Sequence, residues 1–218
     1  LKKNELVRTG RWNDRNLLMG SELRDKTLGI VGFGGIGKAL VELLNGFGMK
    51  RALVYDPQIT SDIYSKFDVN KVEKIDDLLM ESDFVSLHCP LNQETYGMIG
   101  ERQLKLMKSS AYLLNLSRGG IIDEDALYDA LINKKISGAA IDCFQEEPIL
   151  SPHRFGTLDN VILAPHSIAW TNELFRDIGR TSCQNMLNLS LGKRPEGVVN
   201  PEVFESPSFN QKWSRYIT

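Results

Sequence analysis

Three kinds of side chain in this sequence could form a reaction centre, and each lies near the end of an apolar run. Arg118 follows Ala111–Leu116, Glu146 and Glu147 lie between Asp142 and Pro148, and His166 follows Val161–Leu163 and Pro165. A guanidinium offers two parallel N–H groups and a charge that does not titrate, which suits the carboxylate of a 2-oxo or 2-hydroxy acid. A carboxylate beside an imidazole orients the ring and favours its protonated form, so the pair can move a hydroxyl proton as general base and acid. Taken singly, these residues have blander readings: a loop arginine, a solvated acidic pair and a structural histidine. Their shared position after strand-like segments favours the chemical reading, because ligands of open α/β sheets sit outside the carboxyl ends of the strands. Asp56, His88–Pro90 and Asp142 occupy equivalent positions and should face the same crevice.

A second constellation says what would sit there. Leu28–Gly37 reads Leu-Gly-Ile-Val-Gly-Phe-Gly-Gly-Ile-Gly, an apolar run that feeds Gly32, Gly34 and Gly37 at G-x-G-x-x-G spacing. In such a turn the first glycine permits the sharp exit from the strand, and the second lets backbone approach a pyrophosphate. The third allows the next helix to pack close to the sheet, and that helix presents free N–H groups to the phosphates. A second strand, Ala52–Tyr55, ends at Asp56, whose carboxylate can accept from ribose hydroxyls and would repel a 2′-phosphate. The expected cofactor is therefore NAD rather than NADP.

The elements needed to position these groups follow from the pattern. From Lys26 onward short apolar runs alternate with helix-like segments, the signature of a parallel sheet covered on both faces. The helix after the glycines carries Ile36, Leu40, Leu43, Leu44 and Phe47 at helical spacing and should stop near Gly46–Gly48. Further helices are expected at Lys2–Arg8, at Asp76–Glu81 with Asp76 as its cap, at Glu101–Met107, after Asp123 as cap, and finally at Asn172–Leu191. Strands are expected at Phe84–His88, Ala111–Leu116, Gly138–Ile141 and Val161–Leu163. Gly10–Gly20 reads as a loop or arm exposing Trp12 and basic groups, and the segment after 192 as a crossing segment and tail. This is a doubly wound α/β fold of the Rossmann type over 23–192, with 1–22 as an arm and 193–218 as a C-terminal segment.

Composition narrows the remaining classes. The 218 residues carry 26 basic and 28 acidic side chains, a net charge of −2, so there is no basic footprint for nucleic acid. No apolar run approaches the roughly 18 residues that suggest a membrane span. Three cysteines, Cys89, Cys143 and Cys183, without C-x-x-C spacing, read as reduced thiols of a cytoplasmic protein. No metal is expected: there are three histidines, and the adjacent His88–Cys89 has no third and fourth ligand at metal-binding spacing.

The sequence resembles the D-isomer-specific 2-hydroxyacid dehydrogenases, especially their phosphoglycerate dehydrogenase-like members. The resemblance spans Gly10-Arg11-Trp12 to Val199-Asn200-Pro201. It rests on Gly-Phe-Gly-Gly-Ile-Gly (32–37), Tyr-Asp-Pro (55–57), His-Cys-Pro-Leu-Asn-Gln-Glu-Thr (88–95), Asn-Leu-Ser-Arg-Gly-Gly-Ile-Ile-Asp (115–123), Ala-Ile-Asp-Cys-Phe-Gln-Glu-Glu-Pro (140–148) and Ala-Pro-His (164–166). It implies a catalytic trio of Arg118 on the substrate carboxylate, His166 as acid/base and Glu147, not Glu146, as its partner. Beside Gly34, which the glycine spacing already places at the pyrophosphate, it further implies NAD contacts from Gly35 and Ile36 there, Asp56 at the ribose and Cys89–Pro90 beside the adenosine half. Leu116, Ser117, Arg118, Asp142 and His166 would surround the nicotinamide side, with Asp142 orienting the carboxamide.

The resemblance also implies a small 2-hydroxy or 2-oxo acid as substrate and a homodimer formed through the cofactor domain, with the arm Gly10–Gly20 at the contact. Most of the family's substrate domain would precede Leu1, so the chain reads as a fragment with remnants of that second domain. Ser167-Ile168-Ala169-Trp170 departs from the family's usual branched residue and glycine after the histidine. Three functions follow: a dehydrogenase, a non-enzymatic NAD-sensing protein like the family's corepressor branch, and a module that binds NAD without turnover.

Overall fold

The computed structural model describes residues 2–215, and its packing separates two compact units, Leu1–His166 and Ser167–Thr218. In the first unit, α1 (Lys2–Arg8) and a 3-10 turn (Trp12–Leu18) precede an alternating series. Its strands are β1 (Thr27–Val31), β2 (Arg51–Tyr55), β3 (Asn70–Lys71), β4 (Phe84–Leu87), β5 (Tyr112–Asn115), β6 (Gly138–Ile141) and β7 (Val161–Leu163). Its helices are α2 (Gly35–Leu44), α3 (Ser61–Lys66), α4 (Ile75–Glu81), α5 (Glu101–Leu106) and α6 (Glu124–Ile132). Among the described residues seven strands form one sheet of order β3-β2-β1-β4-β5-β6-β7, and every neighbouring pair is parallel.

The doubly wound fold expected from the alternating pattern is present. β1 is buried along its whole length, and its alternate residues serve two cores: Leu28 and Ile30 pack with Phe33, Val41 and Tyr64, whereas Val31 packs with Leu79, Leu87 and Leu113. Period-two alternation sends successive side chains to opposite faces, so both faces must be covered. The strand order reverses between β1 and β4, which creates the crevice in which this class of sheet holds ligands.

Several local expectations need correction. Asp76 does not cap α4; Lys74 occupies that position without a side-chain bond, and Asp76 forms a bidentate pair with Arg102 at 2.8 and 2.9 Å. The apolar spacing after the glycines overstates the buried face, since α2 buries Gly37 and Val41 while Ile36 and Leu43 are exposed. Gly10–Gly20 is not all loop, because Trp12–Leu18 coils into a 3-10 turn.

The second unit holds α7 (Asn172–Ser190), a 3-10 turn (Pro201–Glu205) and α8 (Pro207–Trp213). The long helix is therefore not the last one. The Thr171 hydroxyl caps α7 by accepting from the Leu174 amide at 3.0 Å. Trp213 donates to the Leu189 carbonyl at 2.9 Å and packs its ring at a tilt against Phe204 and Phe209, which fixes α8 against α7.

Candidate active site

The glycine loop is built by contact at two positions and by vacancy at two others. Gly32 has φ +91°, and a Cβ there would stand 2.6 Å from the Cys89 amide nitrogen, so the ends of β1 and β4 meet backbone to backbone. A Cβ on Gly37 would lie 2.6 Å from the Gly32 carbonyl oxygen. Gly34 and Gly35 instead have open space on their Cβ side and begin α2, the end of a helix that presents unpaired N–H groups to an anion. Ile36, in the same turn, is exposed.

Asp56, at the end of β2, reaches back to this loop. Its Oδ2 accepts from the Phe33 amide at 2.7 Å and its Oδ1 from the Gln58 amide at 2.9 Å. A cavity of about 300 Å³ lies beside it, lined by Gly32, Gly34, Asp56, His88, Cys89 and Pro90 among others. Burial lowers the proton affinity of His88, whose ring contacts the Ser86 hydroxyl at 2.9 Å. Burial also pushes the Cys89 thiol up to about 11, so at neutral pH it is an apolar neighbour rather than a nucleophile. An anion-ready helix start, a carboxylate at the next strand end and a cavity between β1 and β4 together fit a dinucleotide.

A second group gathers at the ends of β5, β6 and β7. Buried Asn115 shapes the loop that carries Arg118: its Oδ1 accepts from the Ser117 amide (3.2 Å) and hydroxyl (3.0 Å), and its Nδ2 donates to the Arg118 carbonyl (2.9 Å). Leu116 lies within this knot, half-buried. The exposed Arg118 guanidinium donates to the Ser117 carbonyl at 2.6 Å. Gly119 packs so tightly that a Cβ would fall 1.7 Å from the Phe144 carbonyl oxygen.

Glu147 and His166 meet directly. His166 Nδ1 lies 2.7 Å from Glu147 Oε2, and Glu147 Oε1 accepts from the Phe144 amide at 2.8 Å. Partial burial works against the Glu147 charge, but the bonds from His166 and the Phe144 amide, helped by the Arg118 charge, hold its carboxyl below the ordinary range. His166 adopts φ +51°, and its amide donates to the carbonyl of buried Asp142 at 2.8 Å. An imidazole oriented through Nδ1 in this way can exchange a proton at Nε2.

The residues singled out from the sequence thus fall into two groups. Gly34, Asp56, Cys89 and Pro90 line the cavity, with Gly35 and Ile36 at its helix. Ser117, Arg118, Asp142, Glu147 and His166 surround the ends of β5 to β7. Glu146 is exposed and is not the carboxylate facing the histidine. Asn115, Gly119 and the Phe144 amide were not anticipated. Asn115 carried a usable signal, since an asparagine at a strand end followed by serine two residues on is a local side-chain-to-backbone turn.

Comparison with known proteins agrees with this geometry. The family model for the NAD binding domain of D-isomer specific 2-hydroxyacid dehydrogenases matches residues 1–167. A glyoxylate reductase from Korarchaeum cryptofilum is 41% identical over 206 residues, covering 93% of this chain and 61% of that protein. A D-3-phosphoglycerate dehydrogenase from Methanocaldococcus jannaschii is 41% identical over 194 residues, covering 89% and 36%. The structure of D-lactate dehydrogenase with NAD+ from Lactobacillus jensenii superposes with a TM-score of 0.78 at 29% identity, covering 91% and 63%. The chain spans about six tenths of the length of the glyoxylate reductases it matches. With its parallel sheet, glycine turn and paired Glu147 and His166, the chain belongs to the D-isomer specific 2-hydroxyacid dehydrogenase family and carries that family's NAD-binding domain.

Proposed function

We propose that this chain supplies the cofactor grip and the proton-moving residues of an NAD-dependent oxidoreductase acting on D-2-hydroxy acids and their 2-oxo counterparts. The observation that carries the reading is the 2.7 Å contact between His166 and Glu147, with the Arg118 charge close enough to act on Glu147. Arg118 binds the substrate carboxylate and polarises the oxygen on C2. His166 moves the proton of that oxygen, and Glu147 orients the ring. Gly34, Gly35 and Ile36 receive the pyrophosphate, Asp56 the ribose, and Cys89 and Pro90 flank the adenosine half. Leu116, Ser117 and Asp142 hold the nicotinamide side. The chemistry supplied by bound NAD(H) is hydride transfer.

The same reading organises the rest of the chain. Residues 1–22 serve as an arm, 23–192 as the cofactor domain and 193–218 as a segment returning toward a substrate domain. The arm exposes Trp12, Leu17 and Met19 at 63, 78 and 80% of their surface, which supports a homodimer contact there; deleting the arm should give monomers on a sizing column, and an unchanged dimer would refute the contact. Three free cysteines, two of them buried, support a reducing, cytoplasmic setting. Among the described residues no helix is long and apolar enough to cross a membrane.

The test is a fluorescence titration with NADH, followed by NADH oxidation with glyoxylate, hydroxypyruvate and 3-phosphohydroxypyruvate. His166→Ala should lose at least about 100-fold in turnover, the usual worth of a positioned acid–base group, while NADH affinity stays nearly constant. Loss of both in equal measure would contradict the acid–base role. Because the chain spans about six tenths of its relatives, a second reading has its own support: NADH binding without turnover would make this a cofactor module.

A further inference from the structure

We propose that Cys143, Glu147 and His166 form a binding site for a borderline-soft divalent cation, with Zn²⁺ as the fitting ion. Spacing of 143, 147 and 166 matches no zinc motif, yet the fold brings their donor atoms within 4.8 Å of one another. Cys143 follows β6, Glu147 lies four residues on in the same loop, and His166 follows β7. A thiolate, a carboxylate and an imidazole are the three ligand types zinc uses, and three protein ligands with a fourth open position make a recognised arrangement. With zinc bonds of about 2.0–2.3 Å, donor atoms of a tetrahedral site lie roughly 3.3–3.6 Å apart, so the pair must close on Cys143 by up to about 1.2 Å while the 2.7 Å contact between His166 and Glu147 opens by about 0.6 Å.

The side chains are arranged to allow that movement. Cys143 is 2% exposed, and its Sγ points into the loop, 3.4 Å from the Ser117 carbonyl oxygen. The Glu147 and His166 side chains are 33 and 45% exposed, so the two mobile ligands can close on the fixed one. Glu147 is already tethered through Oε1 to the Phe144 amide, which leaves Oε2 as the ligand atom. On binding, the Cys143 thiol proton leaves to solvent and the neutral His166 ring carries its N–H proton on Nε2, which frees Nδ1 to ligate, and no atom changes oxidation state. The Arg118 charge opposes the cation and keeps the site weaker than a structural zinc centre. A bound cation takes the atoms that form the dyad and so silences it; that consequence rests on the acid–base role proposed above, whereas binding does not.

Co²⁺ is the probe, because its coordination spectrum reports thiolate ligation directly and requires no turnover. In a Cys183→Ser background, which removes the exposed thiol, titration with Co²⁺ should produce a sulfur-to-cobalt band in the near ultraviolet. Equimolar Zn²⁺ should abolish it. Cys143→Ser should remove the band, and Glu147→Gln should weaken Co²⁺ affinity at least tenfold while the near-ultraviolet band keeps its position. Absence of the band in the parent protein overturns the site, as does its persistence in Cys143→Ser. Should Cys143→Ser fail to fold, as judged by circular dichroism and NADH binding, an unchanged affinity in Glu147→Gln overturns it alone. Binding of Co²⁺ together with a turnover that Zn²⁺ does not reduce would leave the site standing and refute the acid–base role of the dyad.

Discussion

Replacing Gly119 by alanine should separate the arginine from the dyad without touching any of the three. Gly119 does not adopt the left-handed backbone, so alanine is acceptable in conformation, and its effect isolates one contact. The added Cβ would stand 1.7 Å from the Phe144 carbonyl oxygen, 2.1 Å from its carbonyl carbon and 2.8 Å from the Gln145 nitrogen. All three are backbone atoms with no rotamer to escape into. Ordinary carbon contacts begin near 3.5 Å, so the two loops must part by roughly 1.8 Å. Overpacking of this kind costs about 1–3 kcal/mol, which for a unit of this size lowers Tm by about 2–12 °C. The displaced strand of backbone is the one whose Phe144 amide holds Glu147, and a misplacement of about 1 Å can cost 100-fold in rate. NADH affinity should fall far less than turnover, because the glycine loop and Asp56 belong to β1 and β2 and only the nicotinamide side adjoins the displaced loops. Thermal unfolding, NADH titration and turnover with glyoxylate read these three quantities. A Gly119→Ala protein that melts and turns over like the parent would refute the claim that these loops touch.

Two further outcomes test the frame around the site. Asp56→Ala should weaken NADH and narrow the preference over NADPH, since it removes the carboxylate and also frees the Phe33 amide that Oδ2 engages; an undiminished preference in parallel fluorescence titrations would remove Asp56 from the ribose site. Asp83, just before β4, accepts through its carbonyl from the Tyr112 amide at 2.9 Å, and through its carboxylate from the Thr27 amide at 2.8 Å and from Lys108 at 3.0 Å. Burial opposes its charge, but those bonds and the Lys108 and Lys26 charges hold its carboxyl below the ordinary value. A depressed carboxyl contributes stability above its unfolded pKa of about 3.9 and loses it as pH falls through the folded value. Asp83→Asn should therefore cost about 1–2 kcal/mol at pH 7, allowing for partial solvent screening of Lys108, and the gap from the parent should close below pH 4 in urea melts. A gap independent of pH would deny the carboxylate this role.

The readable parts of the fold were those whose signal is local. β1, β4, β5, β6 and β7 are short apolar runs bounded by turn residues, and α6 announces itself through Asp123, which accepts from the Asp125 and Ala126 amides as a cap should. The edge of the sheet was not readable: β3 is two exposed polar residues, Asn70 and Lys71, defined by pairing with β2 rather than by any pattern of its own. Asp76 misled because an acid at a helix start looks like a cap, and Arg102, 26 residues away, decides otherwise. The site divides in the same way. Arg118 and His166 could be found because strand ends have meaning in this architecture. The contact of Gly119 with Phe144, and the approach of Cys143 to the dyad, exist only after the β5, β6 and β7 loops are brought side by side.

The backbone of His166 carries a consequence for how this chemistry could be lost. At φ +51° the position favours a short list of residues: glycine, and asparagine, aspartate or histidine among those with side chains, while branched residues are strained there. Mutational drift away from the proposed acid–base role is thereby channelled. A lineage that gives up proton transfer but keeps the cofactor should settle on Asn, Asp or Gly at 166 and avoid Val or Ile, so the replacement at this one position records whether the surrounding backbone survived the change.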